Sequence, residues 1–185
     1  MIKVDATHGR VQLRDAEGKV WLGPCRAGVQ LADGTYISLD DDARPESGVD
    51  GLVVKQRKAG GPELRWHFQP HPAEGALGLW LEIHNPTGSA LAVVRLEVLV
   101  APDDFVRPDA DQPWLAMGPR MLVGFVSEGA PNCQITSGLV ASQSVAAILP
   151  PGGTLPSELL WLVLDQTPAD ARASFTSAVK REQGG

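Results

Sequence analysis

The sequence predicts an all-β protein, a β-sandwich closed by one C-terminal helix. Three observations predict it. Runs of alternating apolar and polar residues recur at roughly 8–12-residue spacing between Gly, Pro, Asn and Asp turns. Helical periodicity occurs once, at the end, so the strand–helix alternation of an α/β fold is missing. Gly and Pro number 20 and 15 in 185 residues, as many tight turns require.

The first half supplies short strands. "RVQLRD" (10–15) alternates and then turns at "AEGK". "VWLGPCRAGVQLAD" holds two runs split by Gly23-Pro24, and Asp33-Gly34 is a hairpin signal leading into "TYISLD". "GLVVKQR" and "ELRWHFQ" flank the turn "KAGGP". In "ELRWHFQ" Leu64, Trp66 and Phe68 share one face, with Arg65, His67 and Gln69 on the other, which is a half-buried strand.

The middle is the most strongly patterned. "LGLWLEIHN" (77–85) places Leu77, Leu79, Leu81 and Ile83 on one face. After "PTGSA", the run "LAVVRLEVLVA" (91–101) offers Val94, Leu96, Val98 and Val100 as its core face, with Leu91, Val93, Arg95, Glu97 and Leu99 on the other. The stretch 102–120 contains Pro102, Pro108, Pro113 and Pro119 and little periodicity, so it reads as a long loop, a class of segment often functional. Further strands follow in "MLVGFVS", "NCQITS", "VASQSVAAIL" and "SELLWLVLD". The helix is expected over about 168–182, with Thr167 as cap, Pro168 at the first helical position and Asp170 three residues after the cap. Ala171, Phe175, Ala178 and Val179 form its apolar stripe, and Lys180 and Arg181 sit near the negative end of its dipole. No repeat or linker divides the chain, so 1–185 is read as a single sandwich domain.

Composition narrows the partners. A net charge of −6 disfavours nucleic acid and anionic membrane, both of which need basic patches. The start, "MIKVDATHGR", lacks an apolar signal core, and no run reaches membrane-spanning length; a cytoplasmic location is expected. Cys25 and Cys133 are read as two free, partly buried thiols rather than a pair.

No catalytic signature emerges. His67 and His71 stand four apart, but Pro70 and Pro72 forbid the helix that would turn both toward one metal ion. His84 reads as a turn-side polar residue. There is no GxSxG elbow, no phosphate-gripping glycine loop and no privileged pair of carboxylates, so no catalytic residue, metal site or cofactor is assigned. Of five tryptophans, Trp66, Trp80 and Trp161 lie in strands and read as core or sheet-face residues. Trp114 lies in the Pro-rich stretch. It is either a sugar-stacking platform, with Asp109, Asp111 and Gln112 accepting hydroxyl hydrogen bonds, or a plug at the end of the sandwich.

The order "LGLWLEIHNPTGSALAVVRLEVLV", "MLVGFVSEGAPNCQI", "LPPGGTLPSELLWLVLDQTPADARASFTSAVKRE" resembles the N-terminal β-supersandwich domain of α-galactosidase-type (melibiase) glycoside hydrolases over about residues 77–183. The resemblance implies a galactose-mutarotase-like supersandwich whose final helix leads toward a catalytic (β/α)₈ barrel. The family's catalytic carboxylates lie on that barrel, and no Gly-Trp-Ser-Trp-like entrance to it follows Glu182. The function implied is a non-catalytic accessory domain that packs on a partner barrel or mediates assembly as a homo-oligomer, with carbohydrate as a further partner. Such a helix should expose an apolar contact for the barrel. The alternatives are an independent carbohydrate-binding module, marked by a Trp platform with nearby carboxylates and amides, and a mutarotase-like enzyme, which would need convergent groups from His67, His84, Glu82 and Glu97.

Overall fold

In a computed structural model, which describes residues 2–48, 51–102, 110–127, 132–136 and 138–184, the chain forms two antiparallel sheets packed face to face. The strands are β1 (Lys3–Thr7), β2 (Arg10–Arg14), β3 (Val20–Leu31), β4 (Tyr36–Ser38), β5 (Arg44–Ser47), β6 (Leu52–Arg57), β7 (Glu63–His71), β8 (Ala76–His84), β9 (Leu91–Val100), β10 (Ala110–Gln112), β11 (Leu115–Gly118), β12 (Met121–Phe125), β13 (Cys133–Thr136), β14 (Val140–Leu149), β15 (Thr154–Pro156) and β16 (Leu160–Leu164). One helix, α1 (Pro168–Gln183), follows. Among the described residues, one sheet has seven strands in the order β1-β2-β3-β9-β14-β13, with β4 also paired to β3. The other has nine, in the order β10-β11-β12-β16-β8-β7-β6-β5, with β15 also paired to β8. The all-β sandwich with one C-terminal helix is thus the observed fold.

The two inner faces make the core. Leu64, Trp66 and Phe68 on β7 and Leu77, Leu79, Leu81 and Ile83 on β8 are buried, as their alternation requires. Cys25 and Cys133 are free and buried, and burial pushes both thiols up to about 12.

Three expectations change. The two runs expected on either side of Gly23-Pro24 form one strand, β3. On β9, Val93 is buried and Val94 exposed, the reverse of strict alternation. Register shifts against β3 and β14 mark bulges, each of which shifts the phase by one residue, so Leu99 also turns inward. The 102–120 stretch holds two strands. β10 and β11 fold as a hairpin through Pro113-Trp114 and extend the sheet from β12. Strands of three and four residues, one of them beside a proline turn, leave no readable period.

The helix closes the outside of one sheet. Thr167 Oγ1 accepts a hydrogen bond from the Asp170 amide at 3.2 Å and donates to its carboxylate at 2.6 Å. Ala171, Ser174, Phe175 and Ala178 are buried against Ala76, Leu115, Leu122, Val126, Trp161 and Val163, forming a second apolar cluster on the outer face of the nine-stranded sheet. Gly124 exists for this contact. A Cβ there would stand 2.7 Å from Phe175 Cε2 and 2.7 Å from Leu115 Cδ1. A bare strand backbone at that point lets the phenyl ring seat.

Candidate functional site

The helix packs on the β12–β16 part of the outer face of the nine-stranded sheet. The register gives what remains. Residues directly opposite one another on antiparallel strands share a face, so the outward positions of β6, β7, β8 and β15 line up in rows. One row is Val53, His67 and Trp80; the next is Lys55, Arg65, Glu82 and Pro156; the last is Arg57, Glu63, His84 and Thr154. In the opposite direction the rows turn apolar, with Gly78 opposite Trp161 under α1. The bare half-sheet is therefore an aromatic step beside a charged strip.

The step is a stack. The His67 and Trp80 rings lie 4.5 Å apart and 4° from parallel. Cross-strand pairing places the two Cβ atoms within reach, and the flat imidazole covers the indole. Beside them is a cleft of about 200 Å³ lined by Gly48, Gly51, Leu52, Val53, His67, Phe68, Gln69 and Trp80. That is below the roughly 300–1,000 Å³ of pockets for drug-sized ligands, and suits one small ring. Gly51, at φ +154°, lies against the Phe68 carbonyl, where a Cβ would come within 2.0 Å. His67 Nε2 is buried with no hydrogen-bond partner among the described residues.

The charged strip is internally paired. Arg65 Nε meets Glu63 Oε1 at 2.5 Å, its Nη1 meets Glu82 Oε1 at 2.7 Å, and Lys55 Nζ meets Glu46 at 2.5 Å. These pairs hold oriented carboxylates at the cleft's edge. Among the described residues no three His, Cys, Asp or Glu gather to hold a metal ion. Of the groups a mutarotase-like reaction would need, His67, Glu82 and His84 share this face and Glu97 does not. Glu97 lies on the other sheet, Glu82 is held by Arg65, and His84 Nδ1 is engaged with Thr154 Oγ1 at 3.0 Å.

Burial lowers the pKa of His67. Glu82 opposes the shift, and Arg65 and Lys55 reinforce it. His71, whose ring lies 4.5 Å from that of Trp161, is also lowered by burial and then by Arg181, against Glu74. Both histidines are neutral at pH 7. A folded pKa below the unfolded value means the unfolded chain binds more protons, so stability contributed by the neutral rings is complete above about pH 6.5 and falls as pH drops below it. The urea midpoint should therefore drop between pH 7.5 and 5, before most carboxylates titrate. His67→Phe, which keeps a flat ring on Trp80, should reduce that drop; an unchanged pH slope in His67→Phe would contradict the assignment.

Of the residues expected from the sequence to contact sugar, Trp114 and Gln112 lie at the β10–β11 hairpin, outside the lining of the cleft beside His67 and Trp80. Trp114 is half-buried at the β10–β11 turn and packs against both apolar clusters. Its carbonyl accepts from the Phe125 amide at 3.0 Å. Gln112 is exposed at the end of β10; Asp111 lies within β10, its side chain outside the description, and Asp109 lies outside the described residues. Sequence reasoning placed Trp80 and His67 on a strand face but not together, because their pairing depends on the β7–β8 register. The alternating "ELRWHFQ" and "LGLWLEIH" were the available signal.

No family model matches the chain, and no curated protein matches it. Among solved structures it is similar to a polysaccharide lyase, with 13% sequence identity and a TM-score of 0.57. The match covers 96% of this chain and 34% of that one, so the chain spans about a third of the lyase's length. At that identity the likeness is one of fold. No helix among the described residues is long and apolar enough to cross a membrane.

Proposed function

We propose that the chain is an accessory, non-catalytic sandwich of a carbohydrate-active enzyme, of the kind that precedes the barrel in α-galactosidase-type hydrolases, and that it contacts a sugar ring at the Trp80–His67 cleft. The observation that carries this reading is the aromatic stack beside a ring-sized cleft, on the half-sheet α1 leaves bare. Sugar rings present C–H faces that pack on aromatic surfaces, and the carboxylates and amide nearby can accept or donate to hydroxyls. The fold likeness to a protein named for acting on polysaccharide agrees with it.

Packing on a barrel through α1 gains less support. The exposed side of the helix carries Arg172, Ala173, Thr176, Ser177 and Lys180, and none of the exposed large apolar residues lies on it. Its apolar stripe faces its own sheet.

Titration with galactose, raffinose and gluco-oligosaccharides tests the proposal. A single pyranose has about 12 heavy atoms, and at about 0.3 kcal/mol per atom its Kd falls near 1 mM. Trp80→Ala should weaken binding at least tenfold with little loss of melting temperature. Absence of wild-type binding up to tens of millimolar, or equal binding by the variant, would refute it.

A further inference from the structure

The outer face of the seven-stranded sheet carries a second cleft. Its volume is about 480 Å³, and Arg10, Pro24, Arg26, Val100, Ala101 and Pro102 line it. The register brings the two arginines together. Val11 pairs with Cys25, and both point into the core at 1% and 0% exposure. Arg10 and Arg26 are the adjacent residues on these antiparallel strands, so they stand side by side and outward. Like charges placed opposite one another across strands are destabilising. Neither guanidinium pairs with a carboxylate among the described residues, in a chain whose net charge is −6.

Glu97, on the same face, is already committed. Tyr36 lies flat across Gly28, where a Cβ would come within 2.4 Å of its hydroxyl, and that hydroxyl donates to Glu97 Oε2 at 2.5 Å. Glu97 is further shared with Arg95 at 3.9 Å. Burial and then Glu97 keep the Tyr36 phenol protonated, while Arg26 and Arg10 pull against that shift, which places their field over the phenol. The floor beneath the arginines, made by Val100, Ala101, Pro24 and Pro102, is apolar.

We propose that this cleft binds a carboxylate-bearing sugar: the paired guanidinia of Arg10 and Arg26 take the carboxylate, and the Pro/Val/Ala floor takes the C–H face of the ring. Guanidinium forks match a carboxylate bidentately, and the cleft lies within the roughly 300–1,000 Å³ range of ligand sites. The anion would also remove the repulsion between the two arginines. This inference does not rest on the Trp80 cleft, which lies on the other sheet.

The test uses trigalacturonate, with the uncharged galactose trisaccharide and sodium sulfate as comparisons. Wild type should bind trigalacturonate at least tenfold more tightly than either, and raised salt should weaken it. Arg26→Gln and Arg10→Gln should each lose at least tenfold, with unchanged or higher melting temperature without ligand because repulsion is relieved. Arg26→Lys should keep the charge but lose part of the affinity. Trp80→Ala should bind trigalacturonate as wild type does, which separates this site from the other. Equal binding by the Arg→Gln variants, no preference over the neutral trisaccharide, or sulfate bound as well as trigalacturonate would overturn the proposal. So would a lowered melting temperature in Arg26→Gln, since the arginines would then be serving the chain's own acids; Asp103 and Asp104 follow Pro102 in sequence.

Discussion

Trp161→Ala is expected to cost about 3–5 kcal/mol, the range for truncating a buried aromatic residue. Trp161 is 1% exposed and forms the floor on which α1 rests. Its Nε1 donates to Ser174 Oγ at 3.1 Å, the His71 ring packs at 4.5 Å, and Arg181 lies 5.3 Å from the ring centroid. Arg181 in turn pairs with Glu74, whose carboxyl it holds below the usual range. Truncation therefore empties the centre of the second cluster and strands the Ser174 hydroxyl. Against a total stability of roughly 5–15 kcal/mol, the helix should detach before the sandwich unfolds. Urea unfolding followed by far-ultraviolet circular dichroism checks this, with Trp161→Phe as the packing-preserving control at about 1–2 kcal/mol. A loss under about 1 kcal/mol for Trp161→Ala would mean that α1 is not held by the sheet.

Asn85→Asp is expected to be about as damaging at pH 7, although it changes one group for another of the same shape. Asn85 is 0% exposed. Its Nδ2 donates to the Ser89 carbonyl at 2.8 Å and the Leu149 carbonyl at 3.0 Å, while Oδ1 accepts from the Thr87 amide at 3.1 Å and hydroxyl at 2.6 Å. Its backbone also bonds both ways with the 150–153 turn, to the Gly153 carbonyl at 2.9 Å and from the Gly152 amide at 2.7 Å. Both donors and both acceptors of the side chain are satisfied, and two loops are tied to one another. A carboxylate there turns an oxygen toward two carbonyls and buries a charge, at a cost of about 3 kcal/mol or more. The introduced carboxyl would have a folded pKa above its unfolded value, so the penalty is full at high pH and shrinks as pH falls through that folded pKa. The deficit against wild type should thus be larger at pH 7.5 than at pH 5. An Asn85→Asp deficit independent of pH, or smaller than that of Asn85→Ala at pH 7.5, would contradict the network.

How much of this was legible in the sequence differs by element. β7 and β8 were readable because each buries one face over most of its length, so the alternation runs unbroken through Leu64, Trp66, Phe68 and Leu77, Leu79, Leu81. The helix was readable from local chemistry alone, because Thr167, Pro168 and Asp170 act within one turn. β9 was readable as a strand and in phase at Leu96, Val98 and Val100, but not at Val93, Val94 and Leu99, since a bulge is a property of the pairing and leaves no mark in the strand's own residues. β10 and β11 were missed because each is too short to show a period.

The sites were less legible than the fold. Trp80 meets His67 and Arg10 meets Arg26 only through register, across 13 and 16 residues of chain. For Trp114 the sequence left a platform and a plug both open, and the side chain is half-buried against both clusters. Polar neighbours in sequence do not report what lies beneath a side chain. Gly124, within the strand "MLVGFVS", is the seat of Phe175, a contact made across a long span of chain.

The central claim is that the bare half of the nine-stranded sheet takes a sugar ring at Trp80. The most direct measurement is a saccharide titration followed by the indole N–H signals of the five tryptophans in a nitrogen-labelled sample, assigned by single Trp→Phe replacements. The account predicts that the Trp80 signal shifts saturably, and that Trp66, in the core, and Trp161, under the helix, stay fixed. A saturable shift at Trp114 or Trp21 with Trp80 unmoved, or no shift at any indole, would contradict it.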